Sequence, residues 1–152
     1  MLIIDIIKSV SDAMTSINSF GTGVRSYGNL EPENEMLAEY GEPSFPRCWL
    51  YTFSTEETIE KSGALTRVYL LTVDITDLHN LDDSSKQISD KLLLMYDICT
   101  EFIMSVYKHV NVEYVKSIRR EPLQHHLDHN TIGYAIQFKI KLFKDDTVYP
   151  CD

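Results

Sequence analysis

Between residues 2 and 20, Ile3, Ile6, Ile7, Val10, Met14 and Ile17 recur at three- and four-residue steps, with Asp5, Lys8, Ser9, Asp12 and Ser16 in the gaps. That period predicts an amphipathic helix over 2–20, ended by Gly21 and Gly23. Arg47 to Phe53 follows Pro46, is rich in aromatics, and reads as a strand buried on both faces. Residues 54–63 are polar and read as a turn. Leu65 to Asp74 carries Val68, Tyr69, Leu70, Leu71 and Val73, a second strand that pairs antiparallel with the first. In Asp82-Asp83-Ser84-Ser85-Lys86-Gln87, Ser84 and Gln87 have capping-box spacing, and the two Asp suit the positive end of a helix dipole. From there Ile88, Leu92, Met95, Cys99, Phe102 and Val106 keep the helical step, and Leu93, Leu94, Ile98 and Ile103 widen the apolar face. A face this wide suits a helix lying across a sheet.

Val112 to Leu123 reads as a strand, and Glu121 to Thr131 as the turn of a hairpin. Ile132, Tyr134, Ile136, Phe138, Ile140 and Leu142 then alternate with Gly133, Ala135, Gln137, Lys139 and Lys141. One apolar and one polar face is the pattern of an antiparallel strand covered on one side. Residues 144–152 read as a short polar tail. The order helix, strand, strand, helix, strand, strand predicts an α+β two-layer sandwich. Its four-stranded, mostly antiparallel sheet would consist of two β-hairpins packed by two helices, in a single domain spanning 1–152.

Residues 21–46 break the periodicity. They hold four of the six glycines, three of the five prolines, and Glu31, Glu33, Glu35, Glu39 and Glu42 against the single cation Arg25. Stretches of this length without periodicity are functional or disordered more often than structural. Yet Val24, Tyr27, Leu30, Met36, Leu37, Tyr40 and Phe45 are interspersed, which a solvated linker does not need. The segment reads either as a protruding arm that gains its burial on a neighbouring subunit or as a long loop folded over its own domain. On the arm reading, the candidate interface residues are Arg25, Tyr27, Leu30, Met36, Leu37 and Tyr40.

Composition narrows the classes. At 152 residues, 43% hydrophobic and 24% charged, the chain is long enough for one core without metal or disulfide staples. Fourteen Lys and Arg stand against 23 Asp and Glu, a net charge of −9. The densest basic cluster is Arg119-Arg120, so counterion-displacing nucleic-acid binding and anionic-membrane binding are both disfavoured. Cys48, Cys99 and Cys151 are odd in number and form no CxxC pair, which suits free thiols in a reducing compartment. The apolar start is interrupted by Asp5 and Lys8 and lacks a basic lead, unlike a signal peptide, and no run reaches a membrane span. A soluble intracellular origin is expected.

Candidate chemistry is sparse. His125, His126, Asp128 and His129 bring three of the five histidines together beside a carboxylate, donors that suit zinc or iron. They sit in a predicted hairpin connection and lack an HExxH pattern, so metal binding is a minor reading. Cys48 and Cys99 fall on core-facing positions and read as small hydrophobes rather than nucleophiles. Gly21-Thr22-Gly23 follows a helix, whereas phosphate-cradling glycine motifs follow a strand. Asp74, Asp77, Asp82 and Asp83 do not match an EF-hand loop. No enzyme activity and no cofactor is expected.

The order of features resembles the tail-terminator, tail-completion and neck (head-to-tail joining) proteins of tailed bacteriophages. The resemblance rests on the N-terminal helix leading to the Gly/Glu-rich arm and on the Phe45-Pro46-Arg47-Cys48-Trp49-Leu50 strand entry. It rests also on the strand pair before the long helix from Ser84, and on the closing strand that opens Gly133-Tyr134-Ala135-Ile136-Gln137-Phe138. It covers roughly residues 2–143 and is one of layout. It implies a structural virion protein, made in the host cytoplasm, that forms a homo-oligomeric ring of six or twelve copies at the head–tail junction. Such a ring contacts portal, connector and tail proteins and passes DNA without sequence-specific binding. Acidic composition suits a conduit that repels phosphates, with Glu31, Glu33, Glu35, Asp82 and Asp83 as candidates for its lining. A non-viral protein-interaction adaptor domain is the alternative, with the His-rich metal site behind it.

Overall fold

The computed structural model describes residues 3–23, 45–80, 82–124, 131–143 and 147–148. Helix α1 spans Ile3–Ala13 and buries Ile3, Ile6, Ile7 and Val10. It stops earlier than the apolar spacing predicts. Met14 and Ile17 are still buried in the core, but a turn carries them there, with Met14 N donating to Ser11 O and Ile17 N to Met14 O. A three-residue step fits such turns as well as a helix, which is why the period overran. Gly21 and Gly23 are not the helix stop. They lie in strand β1, Ser19–Gly23, which pairs in parallel with β2, Arg47–Tyr51.

Strand β2 is buried at all five positions, as its aromatic, two-faced composition predicts. It pairs antiparallel with β4, Ala64–Leu78, also as expected. The polar stretch between them is not merely a turn. Ser54–Ile59 is strand β3, antiparallel to the first half of β4, and the turn is confined to Glu60–Gly63, with Gly63 at φ 84°. Every residue of β3 is exposed, so it carries no apolar alternation to read. Helix α2, Ser85–Tyr107, starts with the expected capping box: Ser84 Oγ accepts from Gln87 N, and Ser84 N donates to Gln87 Oε1. Strands β5, Val112–Gln124, and β6, Thr131–Leu142, pair antiparallel with irregularities at Val112/Tyr114 and Lys116/Arg119. Part of the predicted polar tail is also strand: β7, Thr147–Val148, pairs with Ala64 and Leu65.

The class is α+β, but the expected four-stranded sheet of two hairpins is wrong. The sheet has seven strands in the order β1-β2-β4-β6-β5, with β3 and β7 also paired to β4, and the β1–β2 pair makes it mixed. Two features enlarge the sheet: β1 adds in parallel to the outer side of β2, and β4 is unusually long. Fifteen-residue β4 is long enough to pair with β3 along one half and β2 along the other, so three short partners are organised by one strand.

Both helices lie on one face. There Leu71, Val73 and Ile75 of β4, Ile136, Phe138 and Ile140 of β6, and Cys48 and Leu50 of β2 meet the buried sides of α1 and α2 in one core. The opposite face carries Arg47, Trp49 and Tyr51 of β2, the even positions of β4, and Gln137, Lys139 and Lys141 of β6. Among the described residues no helix packs on it.

Candidate functional site

Three surfaces stand out, and each follows from local sequence. The first is the outward side of α2. Its inward side buries Met95, Ile98, Cys99, Phe102, Ile103 and Val106. Leu93 and Leu94, expected to widen that apolar face, do not reach the core; they are 66% and 52% exposed. Leu93, Tyr96, Met104 and Tyr107 are all exposed and, with Thr100, repeat at three- and four-residue steps, so they form a second apolar stripe along the helix. Val110, just past the helix, is 84% exposed, and Ile118 on β5 is also exposed. Arg120 ties the stripe to the β5 edge: its guanidinium stacks 4.1 Å over the Tyr96 ring and donates to Thr100 Oγ1 at 2.8 Å and Tyr96 O at 3.2 Å. Tyr96 also meets Tyr134 edge-on at 5.6 Å. This stripe was readable in the sequence, because positions 93, 96, 104 and 107 are apolar or aromatic at a helical step. Assigning a single face to the helix concealed it.

The second surface is a trough of about 650 Å³ on the sheet face away from the helices. Thr52, Ser54, Thr72, Ser117 and Gln137 supply polar groups, Leu70 an apolar wall, and Arg119 and Lys139 two cations; the Phe53 ring turns instead to Tyr69, 5.7 Å away edge-on, against the core. Among the described residues no carboxylate lines it. Lys139 stands 3.6 Å from Glu56, an exposed pair worth little. Two bends shape the trough. One is the Thr52-Phe53 step by which the chain passes from β2 to β3. The other is the β5 irregularity, where Ser117 takes a left-handed φ of 56°. A net charge of −9 hides this local positive site.

The third is a buried polar cluster on the same face near β1. Tyr51 Oη donates to Asp74 Oδ2 at 2.7 Å, both groups being buried, and the Arg47 guanidinium lies 4.5 Å from the Trp49 ring. Trp49 packs on the glycines of β1: a Cβ at Gly21 or Gly23 would come within 2.6 Å of its ring carbons. Arg47 opening a strand and Asp74 inside an apolar one are the sequence signals of this cluster.

The interface candidates Arg25, Tyr27, Leu30, Met36, Leu37 and Tyr40 and the acidic Glu31, Glu33 and Glu35 lie outside the described residues, as do His125, His126, Asp128 and His129. Asp82 is exposed. Asp83 is half-buried in a turn, where it accepts from Asn80 N at 3.1 Å and stands 3.8 Å from His79 Nδ1. Asp74 and Asp77 do not converge: Asp74 meets Tyr51 on one face, while Asp77 meets Lys91 of α2 at 2.6 Å on the other. Among the described residues no group of three His, Cys, Asp or Glu is placed to hold a metal. Cys48 and Cys99 are buried; desolvation lifts the Cys48 thiol far above its ordinary range and the Cys99 thiol to about 12. Neither is a thiolate at neutral pH, as a nucleophile must be. No helix is long and apolar enough to cross a membrane among the described residues.

These features define an α+β protein with a mixed sheet, a helix layer on one face, and two unlike surfaces on its two sides. The chain matches no protein-family model and no curated protein.

Proposed function

We propose that this chain is a structural protein of a tailed-phage virion, assembling as a homo-oligomeric ring at the head–tail junction around the DNA channel. The observation that carries the reading is the second apolar stripe on α2. Side chains as large as Leu93, Tyr96, Met104 and Tyr107 on one exposed line mark an interaction surface rather than a solvated one. The partner is a second copy. The stripe leans toward the β5 edge through Arg120, while the opposite sheet edge is β1, so the two sides of the molecule are different surfaces. Contact between unlike surfaces is heterologous and closes into a ring when the rotation allows.

Backbone addition at β5 is a poor route to that contact. The strand has two register irregularities, a left-handed Ser117, and Pro122, which has no N–H to donate. Such features block edge-to-edge pairing, which leaves side-chain packing through the stripe. Net negative charge suits a channel through which DNA slides. Negative-stain images of the purified chain test the proposal. Rings with a central channel are expected for the wild type and should be absent for Leu93→Asp/Met104→Asp, whose changes lie outside the core. Discrete particles without a channel, or rings unaffected by the double change, overturn it.

A further inference from the structure

We infer that the trough on the helix-free face is the docking site for an extended acidic segment, residues 31–42, of a second copy of this chain. The inference rests on the ring reading and adds the contact that would link one subunit to the next. The lining offers Arg119 and Lys139 and, among the described residues, no carboxylate; the nearest acidic side chains are Glu56, 3.6 Å from Lys139, and Glu121, which lines the adjoining small cleft with Arg119. The rest of the lining suits a peptide. Hydroxyls and an amide from Ser54, Thr72, Ser117 and Gln137 can meet backbone groups and carboxylates, and Leu70 offers an apolar wall.

The sequence contains one segment of complementary chemistry. Residues 31–42 hold Glu31, Glu33, Glu35, Glu39 and Glu42, no Lys or Arg, and Met36, Leu37 and Tyr40 between them. Its position in the chain fits delivery to a neighbour. It lies between Gly23 and Phe45, both anchored at the β1 edge, where β1 pairs with β2 and Asn18 holds Phe45 O at 2.6 Å. Out and back, residues 24–44 reach at most about 35 Å from that edge, on the order of one domain diameter. The trough extends to the opposite edge through Ser117 and Arg119 of β5. In a head-to-tail ring, the β1 edge of one copy faces the β5 edge of the next.

The test uses a fluorescent synthetic peptide of residues 29–43 titrated into the full-length Leu93→Asp/Met104→Asp chain, whose trough no neighbouring copy fills, read by anisotropy. Saturable binding is expected. It should weaken at least about tenfold in Arg119→Gln/Lys139→Gln, and again as salt is raised toward about 0.5 M, as screening of a charge-driven contact requires. A peptide with its five Glu replaced by Gln should bind comparably weakly. Failure to bind, or binding indifferent to these changes, overturns the inference. In parallel, a mixture of ¹⁴N and ¹⁵N chains is treated with a zero-length carbodiimide crosslinker. Lys139 joined to residues 31–42 in mixed-isotope pairs is expected; same-isotope pairs alone place the segment on its own copy and overturn the second-copy assignment. Rings that form without the mixed pairs refute the trough and leave the ring reading standing; peptide binding without rings does the reverse.

Discussion

The two faces of the sheet are built from alternate residues of the same strands, yet they differ in kind. On the helix face, Ile136, Phe138 and Ile140 are all buried against a continuous apolar layer, with Tyr134 half-buried at its margin. On the other face the environment changes with position. Near β1 it is closed, with Trp49 on the glycines and Tyr51 bonded to a buried Asp74; toward β5 it opens into the cationic trough. A continuous apolar face contributes stability. A graded one is where a binding surface can be placed without disturbing the core.

Substitutions that alternate between the faces sharpen this contrast. Phe138→Ala, on the helix face, should lose about 3–5 kcal/mol by denaturant unfolding, the range for emptying a packed aromatic site. Gly133→Ala, on the other face, should cost about 3 kcal/mol, because its Cβ would sit 1.9 Å from the Ile75 carbonyl oxygen, a backbone atom that cannot swing aside. Tyr51→Phe should cost about 1–3 kcal/mol by withdrawing a donor from buried Asp74. Lys139→Ala, in the open trough, should change monomer stability by no more than about 0.5 kcal/mol. A loss at Lys139 as large as that at Phe138 would erase the distinction between the faces.

The thiols test the helix face by a different measurement. Cys48 and Cys99 should resist iodoacetamide at about pH 8 in the native protein and react once it is unfolded. Burial raises both thiols in the folded state, so above the ordinary thiol value of 9.0 the unfolded chain holds fewer protons than the folded one. Stability should therefore fall as pH rises past that point. Rapid native labelling would mean that the core opens.

How much was legible depends on whether burial leaves a pattern. Strand β6 and the capped start of α2 were readable because alternation and the Ser84–Gln87 spacing are local signals. Strand β3 was not, since Ser-Thr-Glu-Glu-Thr-Ile is exposed throughout and is fixed as a strand only by pairing with distant β4. The same holds for Gly21 and Gly23, which look like a helix stop until Trp49 is seen lying on them. Of the candidate surfaces, the α2 stripe was present in the residue spacing. The trough was not, because Arg119 and Lys139 come together only through the β5–β6 register and the bend at Ser117. The arm residues expected to form the interface lie outside the described residues.

The most direct measurement is the solution mass of the wild type and of Leu93→Asp/Met104→Asp by size exclusion with light scattering across a wide concentration range. The account predicts a discrete wild-type mass of six or twelve times the 17.5 kDa chain, and a monomer for the double variant. A wild type that stays at one chain mass at every concentration, indistinguishable from the variant, would contradict it and favour an adaptor that uses the stripe on a different protein.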